Sequence, residues 1–154
     1  MLFRSFLDKV THTIYTATLG DSEARIYRKS NLCIPLSCIR NWKSTEDRER
    51  AGDALMGKEK KSPKSMRVHG LNVSRGFGDC FTPQVSSEPV LSLNQVQPGD
   101  CIVLASDGLW DFVFEEEISH TIFTRKNPAK ALALYTAEEA LGLDNVTAIS
   151  ITVK

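Results

Sequence analysis

Short runs of alternating or β-branched apolar residues recur along the chain and predict a series of β-strands. The first two runs are close in sequence, so we expect them to form a hairpin whose turn contains Gly20 and Asp21. Pro35, in the third run, indicates an edge strand or a strand end, because proline has no backbone N–H to donate. The predicted strands lie in THTIYTATL (11–19), ARIYR (24–28), NLCIPL (31–36), EPVLSLNQV (88–96), DCIVLAS (100–106) and DNVTAISITV (144–153).

Apolar residues near helical spacing occur at the N-terminus and again after the fifth predicted strand. In MLFRSFLDKV (1–10) they predict a core-facing helix, since the segment is too short and too charged to span a membrane. FVFEEEISHTIFTR (112–125) carries its acidic residues early and Arg125 late, which is the arrangement that the helix dipole favours. Both segments are therefore predicted to be helices.

The clearest helical pattern is that of NPAKALALYTAEEALG (127–142). Asn127 is a good N-cap, Pro128 suits the first turn, and Gly142 marks the end. One face is expected to pack against a sheet, and it consists of Ala129, Leu132, Ala133, Ala137, Ala140 and Leu141. Because the strands come first and the long helices are gathered late, the predicted fold class is α+β.

The composition changes in residues 40–69, which are dense in charges of both signs and contain few large apolar residues. STEDRERAGDAL (44–55) begins with a serine and has acidic residues early, so it predicts a short capped helix. GKEKKSPKS (57–65) has the composition of a solvated surface loop, although its basic run would also suit a phosphorylated partner.

The overall charge and the cysteines narrow the classes of function. The 154 residues include 19 Lys and Arg and 19 Asp and Glu, so no global field directs the chain to nucleic acid or to an anionic membrane. The 4 cysteines form no CxxC pair and no disulfide framework. We therefore expect a reducing compartment, the cytoplasm or the nucleus.

Three carboxylates stand where apolar strands begin or end: Asp21, Asp107 and Asp144. Each is next to glycine or asparagine, and an aspartate in such a position often only bonds the backbone of its own turn. The same positions would also gather carboxylates at one edge of a sheet sandwich, where hard cations such as Mg²⁺ or Mn²⁺ find the oxygen ligands they prefer. The residues alone leave both interpretations open.

Five segments, taken together and in order, resemble the signature segments of the metal-dependent protein Ser/Thr phosphatases of type 2C. The resemblance runs through residues 13–153, nearly the whole chain. One such segment is a weak signal, whereas several in the right order with suitable spacing are specific. The segments are YTATLGDSEARIYRKS (15–30), LNVSRGFGD (71–79), EPVLSLNQVQPGD (88–100), IVLASDGLWD (102–111) and DNVTAISITV (144–153).

The resemblance implies a partial sandwich of two antiparallel sheets flanked by helices, with metal ions bound at one end. Asp107 and Asp144 correspond to carboxylates of a dinuclear Mn²⁺ or Mg²⁺ site. Asp21 corresponds to the residue that, with Asp107, supports a third and weaker ion. Residues 40–69 match the variable flap beside the family's active site, where substrates and partners are selected.

By the same resemblance, the reaction would be the hydrolysis of phosphoserine or phosphothreonine in protein substrates. Two ions about 3.5–4 Å apart lower the pKa of a shared water and stabilise charge on the phosphoryl oxygens. No catalytic residue is expected beyond the metal ligands, and the sequence offers no convincing nucleophile–base motif. Arg75, Gly78 and Asp79 belong to a family segment that is taken to be chiefly structural.

The chain departs from the family pattern in two places. It contains no Asp-Gly-His-Gly-Gly motif, which supplies remaining metal ligands in the family, and Ile39 and Arg40 stand where an Asp-His pair is common. We therefore expect residues 1–154 to be a single incomplete domain, the C-terminal half to two-thirds of the family domain, with residues 40–69 as its flap. Sheet edges left uncovered would favour self-association or a complementing chain.

Three functions are compatible with the sequence. The first is a metal-dependent protein phosphatase, present as a fragment or as one half of an assembly. The second is a catalytically inactive, phosphatase-like module for protein interactions. The third is a metal-free α+β interaction domain whose aspartates serve only as turn residues. Stabilisation by Mn²⁺ would separate the first two from the third, because a ligand of the native state must stabilise it.

Overall fold

The computed structural model describes residues 2–55, 66–79, 81–138 and 144–154. Within them, the strands form two antiparallel sheets. The three-stranded sheet has the order β1 (Leu2–Asp8), β2 (Thr13–Leu19), β5 (Val90–Gln95). The four-stranded sheet has the order β4 (Cys33–Pro35), β3 (Glu23–Tyr27), β6 (Cys101–Ala105), β7 (Ala148–Thr152).

The helices lie largely where the sequence predicts them. They are α1 (Thr45–Ala51), which continues into a 3₁₀ turn (Gly52–Leu55), α2 (Asp107–Trp110), α3 (Glu115–Thr124) and α4 (Pro128–Glu138). Only α2, a single turn, was not predicted as a helix. The predicted end of α4 at Gly142 and the predicted loop at 57–65 lie outside the described residues. None of the described helices is long and apolar enough to cross a membrane.

Two cores separate three layers. Helices α2, α3 and α4 pack on one face of the four-stranded sheet, and the three-stranded sheet packs on the other. Strand β6 is therefore covered on both faces, which explains its unbroken apolar run. The predicted α+β class and the sandwich of antiparallel sheets flanked by helices are confirmed. Pro35 lies in the edge strand β4, as predicted.

Helix α4 packs through a narrower face than the one predicted. Leu132 and Thr136 are fully buried, and the Thr136 hydroxyl donates a hydrogen bond of 2.8 Å to the Leu132 carbonyl. That bond satisfies the hydroxyl, so a threonine can lie at the centre of the packed face. Ala137, which the apolar pattern placed on the same face, is exposed.

The predicted N-terminal helix is wrong, because the segment forms β1. Seven consecutive residues of β1 pair with β2, from Leu2 opposite Leu19 to Asp8 opposite Thr13. The side chain of Leu7 packs into the core between the sheets. Pairing along a whole neighbouring strand provides more backbone hydrogen bonds than an isolated helix of this length can keep in water.

The predicted hairpin is also wrong, although both of its strands are present. Strands β2 and β3 lie in different sheets and face each other across the core, where Ile14 meets Ala24 and Ile26. Both strands are buried on much of their surface, which a two-stranded hairpin cannot provide. The turn at Gly20 and Asp21 therefore crosses from one sheet to the other.

The outer face of the three-stranded sheet carries large apolar side chains with no described element over them. Phe6, Tyr15, Leu91 and Leu93 are 67%, 45%, 74% and 59% exposed. The rings of Phe6 and Tyr15 contact each other, with their centroids 6.3 Å apart. A contiguous apolar patch of this kind marks a surface that normally meets another element or another protein.

Candidate metal centre

The sheet topology brings the three predicted carboxylates to one end of the sandwich. Asp21 precedes β3, and Asp107 follows β6, which is antiparallel to β3. Asp144 precedes β7, which is antiparallel to β6 on its other side. In an antiparallel sheet the start of one strand lies beside the end of its neighbour, so all three residues come to the same edge.

The two loops that hold Asp107 and Asp144 are joined directly. A side chain at Gly108 would collide with the backbone carbonyl of Asn145, so glycine is required for this close approach. The Ser106 hydroxyl donates to the Asn145 carbonyl at 3.2 Å and accepts from the Thr147 amide at 3.1 Å. The sequence Ser-Asp-Gly thus sets the spacing between the two carboxylates.

A cavity of about 150 Å³ opens at this edge. Asp21 and Asp107 line it, and so does Asp111, which was not among the predicted metal ligands. Asp111 lies one turn after Asp107, and its backbone N–H donates to the Asp107 carbonyl at 2.9 Å. Reading Asp-Gly-Leu-Trp as the first turn of a helix, rather than as a bare turn, would have placed both carboxylates on one side.

Electrostatic repulsion couples these carboxylates. Burial raises the pKa of Asp21 above its ordinary value, and the charges of Asp107 and Asp111 raise it further. Burial also raises the pKa of Asp107, and the charge of Asp144 raises it further. A hydrogen bond from the Gly108 amide acts in the opposite direction. In the described part of the chain, no lysine or arginine forms an ion pair with Asp107.

These carboxylates are of the right chemical type for a divalent cation, but their positions converge only in part. They are hard oxygen donors whose mutual repulsion a cation would relieve. However, among the described residues no three His, Cys, Asp or Glu side chains come close enough together to hold an ion. Asp144 is exposed, and its carboxylate accepts a hydrogen bond of 2.7 Å from the Asn145 amide. Asp144 is coupled to Asp107 but does not line the cavity.

Trp110 anchors the turn that carries Asp107. Its indole N–H donates to the Ala105 carbonyl at 3.0 Å, and its ring packs beside the helical core. The Arg25 guanidinium lies 4.5 Å from the centre of that ring. Arg25 is also bonded to Glu23, which lines the cavity, at 2.8 Å. Trp110 therefore both anchors the turn and forms part of the cavity wall.

The charged segment predicted as a flap forms another wall of the cavity. Asn41, Trp42 and Lys43 line it, together with Met66. Behind this wall, Trp42 is fully buried and packs with Met66, Ala51 and other residues in a small separate core. The flap therefore has a packed base, at least in its described portion.

A buried ionic cluster fixes the flap helix α1 to the following segment. Asp47 is fully buried and accepts hydrogen bonds from the Ser74 hydroxyl at 2.8 Å and from Arg75 Nε at 3.2 Å. Arg50 lies 2.7 Å from the same carboxylate. Burial alone would raise the pKa of Asp47, but these donors and the charge of Arg75 bring it below its ordinary value.

Arg75 extends this cluster in two further directions. Its guanidinium bonds the Glu46 carboxylate at 2.8 Å and the Glu88 carbonyl at 3.0 Å. In the same segment, Gly78 has a φ of +89°, which favours glycine, and Asp79 lies against Gly76. These contacts tie Arg75 to the flap, whereas Asn72, earlier in the same segment, lines the cavity.

A larger groove, of about 730 Å³, lies elsewhere between the β3–β4 connection and α3. None of the predicted carboxylates lines it. Burial raises the pKa of the Cys33 thiol in this groove to about 11, so the thiol stays protonated near neutral pH. We assign the candidate site to the smaller cavity because the coupled carboxylates are there.

Comparison with known proteins agrees with this architecture. The sandwich of two antiparallel sheets flanked by helices is a fold that the chain shares with solved type 2C phosphatases. The family model for protein phosphatase 2C matches residues 7–141. The chain belongs to the protein phosphatase 2C family.

The chain spans only part of the length of the relatives that it matches. The chain is 36% identical to probable protein phosphatase 2C 55 of Oryza sativa subsp. japonica over 146 residues, covering 91% of this chain and 38% of that protein. It superimposes on serine-threonine phosphatase 2C from Toxoplasma gondii with a TM-score of 0.75, at 22% identity, over 93% of this chain and 55% of that one. The catalytic domain of the phosphatase PstP, solved with 2 manganese ions, gives a TM-score of 0.61 at 20% identity, over 97% and 57%.

Proposed function

We propose that this chain provides the C-terminal part of the active site of a metal-dependent protein serine/threonine phosphatase. The observation that carries the proposal is the position of Asp107. This residue shares a cavity with Asp21 and Asp111 and is electrostatically coupled to Asp144. Coupled carboxylates that form no ion pair with a described lysine or arginine are costly for a fold to hold, and they are typical of sites that bind cations.

Asp107 and Asp144 would help to hold two Mn²⁺ or Mg²⁺ ions, and Asp21 with Asp107 would support a third, weaker one, with Asp111 lining the same cavity. When bound, such ions provide an activated water and neutralise charge on the phosphoryl oxygens. The chain's own residues fix the geometry. The Ser106–Asn145 contacts set the distance between the two loops, and Trp110 holds the turn after β6.

We also propose that the substrates are phosphorylated proteins. The flap forms one wall of the cavity, so a protein segment that reaches the carboxylates would contact the flap as well. Lys43 in that wall is exposed, whereas Trp42 behind it is buried. The flap thus has a packed base and an exposed surface that a substrate could contact.

A second polypeptide segment would complete the site and the fold. Among the described residues, too few carboxylates converge for tight binding of two ions. In the four-stranded sheet β7 is an edge strand, with Ile149 and Ile151 52% and 45% exposed, and the outer face of the three-stranded sheet is apolar. Either a complementing chain or a second copy would cover these surfaces. Sedimentation velocity distinguishes them, because only self-association makes the purified chain dimeric.

The test of the proposed function is Mn²⁺ binding by calorimetry, with p-nitrophenyl phosphate hydrolysis on the same sample. We expect wild-type binding that Asp107→Ala weakens by tenfold or more, since Asp107 would serve more than one ion. Glu88→Gln is the matched control, because Glu88 is exposed and does not line the cavity. Turnover lost together with Mn²⁺ binding would establish the phosphatase.

Two other results would contradict parts of this proposal. Mn²⁺ binding without turnover, even with a complementing chain, would favour the inactive interaction module. Mn²⁺ affinity that is the same for Asp107→Ala and wild type would show that the aspartates are only turn residues.

We further propose a reducing compartment, the cytoplasm or the nucleus. Cys33, Cys38 and Cys101 carry free thiols in the structure, which supports this choice. Immunofluorescence with an antibody against the chain tests it.

A further inference from the structure

Lys43 has a distinctive place in the candidate site. Among the described residues that line the carboxylate cavity, it is the one cation. Its side chain is exposed, and it forms no ion pair with any described residue although four acidic side chains line the same cavity. Those acidic residues are Asp21, Glu23, Asp107 and Asp111. Lys43 therefore lines an anionic cavity without an ion pair to any described residue.

The backbone that presents Lys43 is fixed on both sides. The Trp42 side chain is 1% exposed, and its indole N–H donates to the Leu71 carbonyl at 2.9 Å. The Lys43 amide donates to Asn41 Oδ1 at 3.0 Å, and the Ser44 amide donates to the Asn41 carbonyl at 3.1 Å. Only the flexible side chain of Lys43 remains to be ordered when a ligand binds, which keeps the entropic cost low.

The ionic cluster at Asp47 extends this support. Helix α1 begins two residues after Lys43 and is held by the buried hydrogen bonds that Ser74 and Arg75 donate to Asp47. A flap that moved freely would not keep a single cation at a set distance from the carboxylates. The cluster thus explains why an exposed lysine can act as a positioned group.

We propose that Lys43 recognises the phosphoryl group of the substrate. This inference rests on the proposed function and names a specificity residue within it. A phosphate monoester is a dianion that carboxylates alone would repel, so entry requires positive charge on more than one side. Divalent cations held by the aspartates would supply one side, and the Lys43 ammonium, a compact phosphate-binding point charge, supplies the other from the flap.

The experiment measures orthophosphate binding to the Mn²⁺-loaded chain by calorimetry, with phosphoserine as a second probe. We expect Lys43→Gln to weaken binding of both by about tenfold or more, as for loss of a charge-assisted hydrogen bond. Lys43→Arg should recover most of that loss. Mn²⁺ affinity should be equal to or tighter than that of wild type in Lys43→Gln, because a positive charge near the ions is removed.

Lys29→Gln is the matched control, because Lys29 is also exposed but lines the other groove. Unchanged phosphate affinity in Lys43→Gln, with Mn²⁺ binding intact, would overturn the assignment of Lys43 and leave the proposed function standing. Failure of the wild-type chain to bind Mn²⁺ even weakly would instead overturn the proposed function, and the assignment of Lys43 with it. If turnover is measurable, KM should rise more than kcat falls.

Discussion

Two groups of carboxylates in this chain experience opposite electrostatics. Asp47 is fully buried, yet hydrogen bonds and arginine charges hold its pKa below the ordinary value. Asp21 and Asp107 are less buried, yet burial and mutual repulsion raise their pKa values. Arginines of the chain form ion pairs with Asp47, whereas no described lysine or arginine forms one with Asp21 or Asp107. A carboxylate whose charge is neutralised by arginines of the chain stabilises the fold. A carboxylate without such an ion pair is available for an external cation.

The largest effect is expected from Asp47→Ala. Removal of one partner from a buried ionic cluster leaves the arginines uncompensated, which costs on the order of 3–5 kcal/mol of the free energy of unfolding. Urea denaturation measures this cost. Glu46→Ala is the matched control on the same helix, because Glu46 also pairs with Arg75 but is 63% exposed. Its loss should cost at most about 1 kcal/mol. Equal losses in both variants would contradict the structural role of Asp47.

A smaller effect is expected from Gly108→Ala. The added methyl group would collide with the Asn145 carbonyl, at a cost of about 1–3 kcal/mol for overpacking. The two loops would separate, so Mn²⁺ affinity should fall as well. Gly99→Ala is the control, since φ is +92° there but nothing lies within 4 Å. It should cost about 1 kcal/mol and leave Mn²⁺ affinity unchanged. Unaltered Mn²⁺ affinity in Gly108→Ala would show that the distance between the loops is unimportant.

The sequence predicts which segments are strands better than it predicts their partners. Alternation identified β2 and β3, but the short turn between them suggested a hairpin. Which sheet a strand joins depends on the burial of both its faces, and that is decided by elements distant in sequence. The N-terminal segment shows the same effect, since pairing with β2 overrides a pattern that also fits a helix.

The candidate site was predictable in part for a related reason. Asp21, Asp107 and Asp144 are next to turn residues at strand ends, so a local pattern selects them. Asp111 follows tryptophan within a continuous segment and carries no turn signal, so only the helical turn of α2 brings it to the cavity. The buried cluster of Asp47 was not predictable either, because Ser74 and Arg75 are distant in sequence.

In the metal-free chain, Asp107→Asn should be slightly stabilising. It removes one of several repelling charges and keeps the shape of the side chain, so we expect a gain of less than about 1 kcal/mol. The same variant should lose most of its Mn²⁺ affinity. Glu88→Gln removes an equal charge outside the cavity and should change neither quantity. A clear loss of metal-free stability in Asp107→Asn would mean that the carboxylate serves the fold after all.

The most delicate comparison is the pH dependence of these variants, measured by urea denaturation from about pH 3 to about pH 7. The pKa of Asp47 is lowered by folding, so its contribution to stability is present above the ordinary carboxyl pKa and is lost as pH falls through the folded value. The pKa of Asp107 is raised, so the folded state takes up its proton more readily and loses stability as pH rises from the ordinary pKa to the raised one. Relative to Asp47→Asn, wild type should therefore gain stability with rising pH. Relative to Asp107→Asn, wild type should lose stability as pH rises. If the stability of wild type relative to the two variants changed with pH in the same direction, the contrast between the two groups would be refuted.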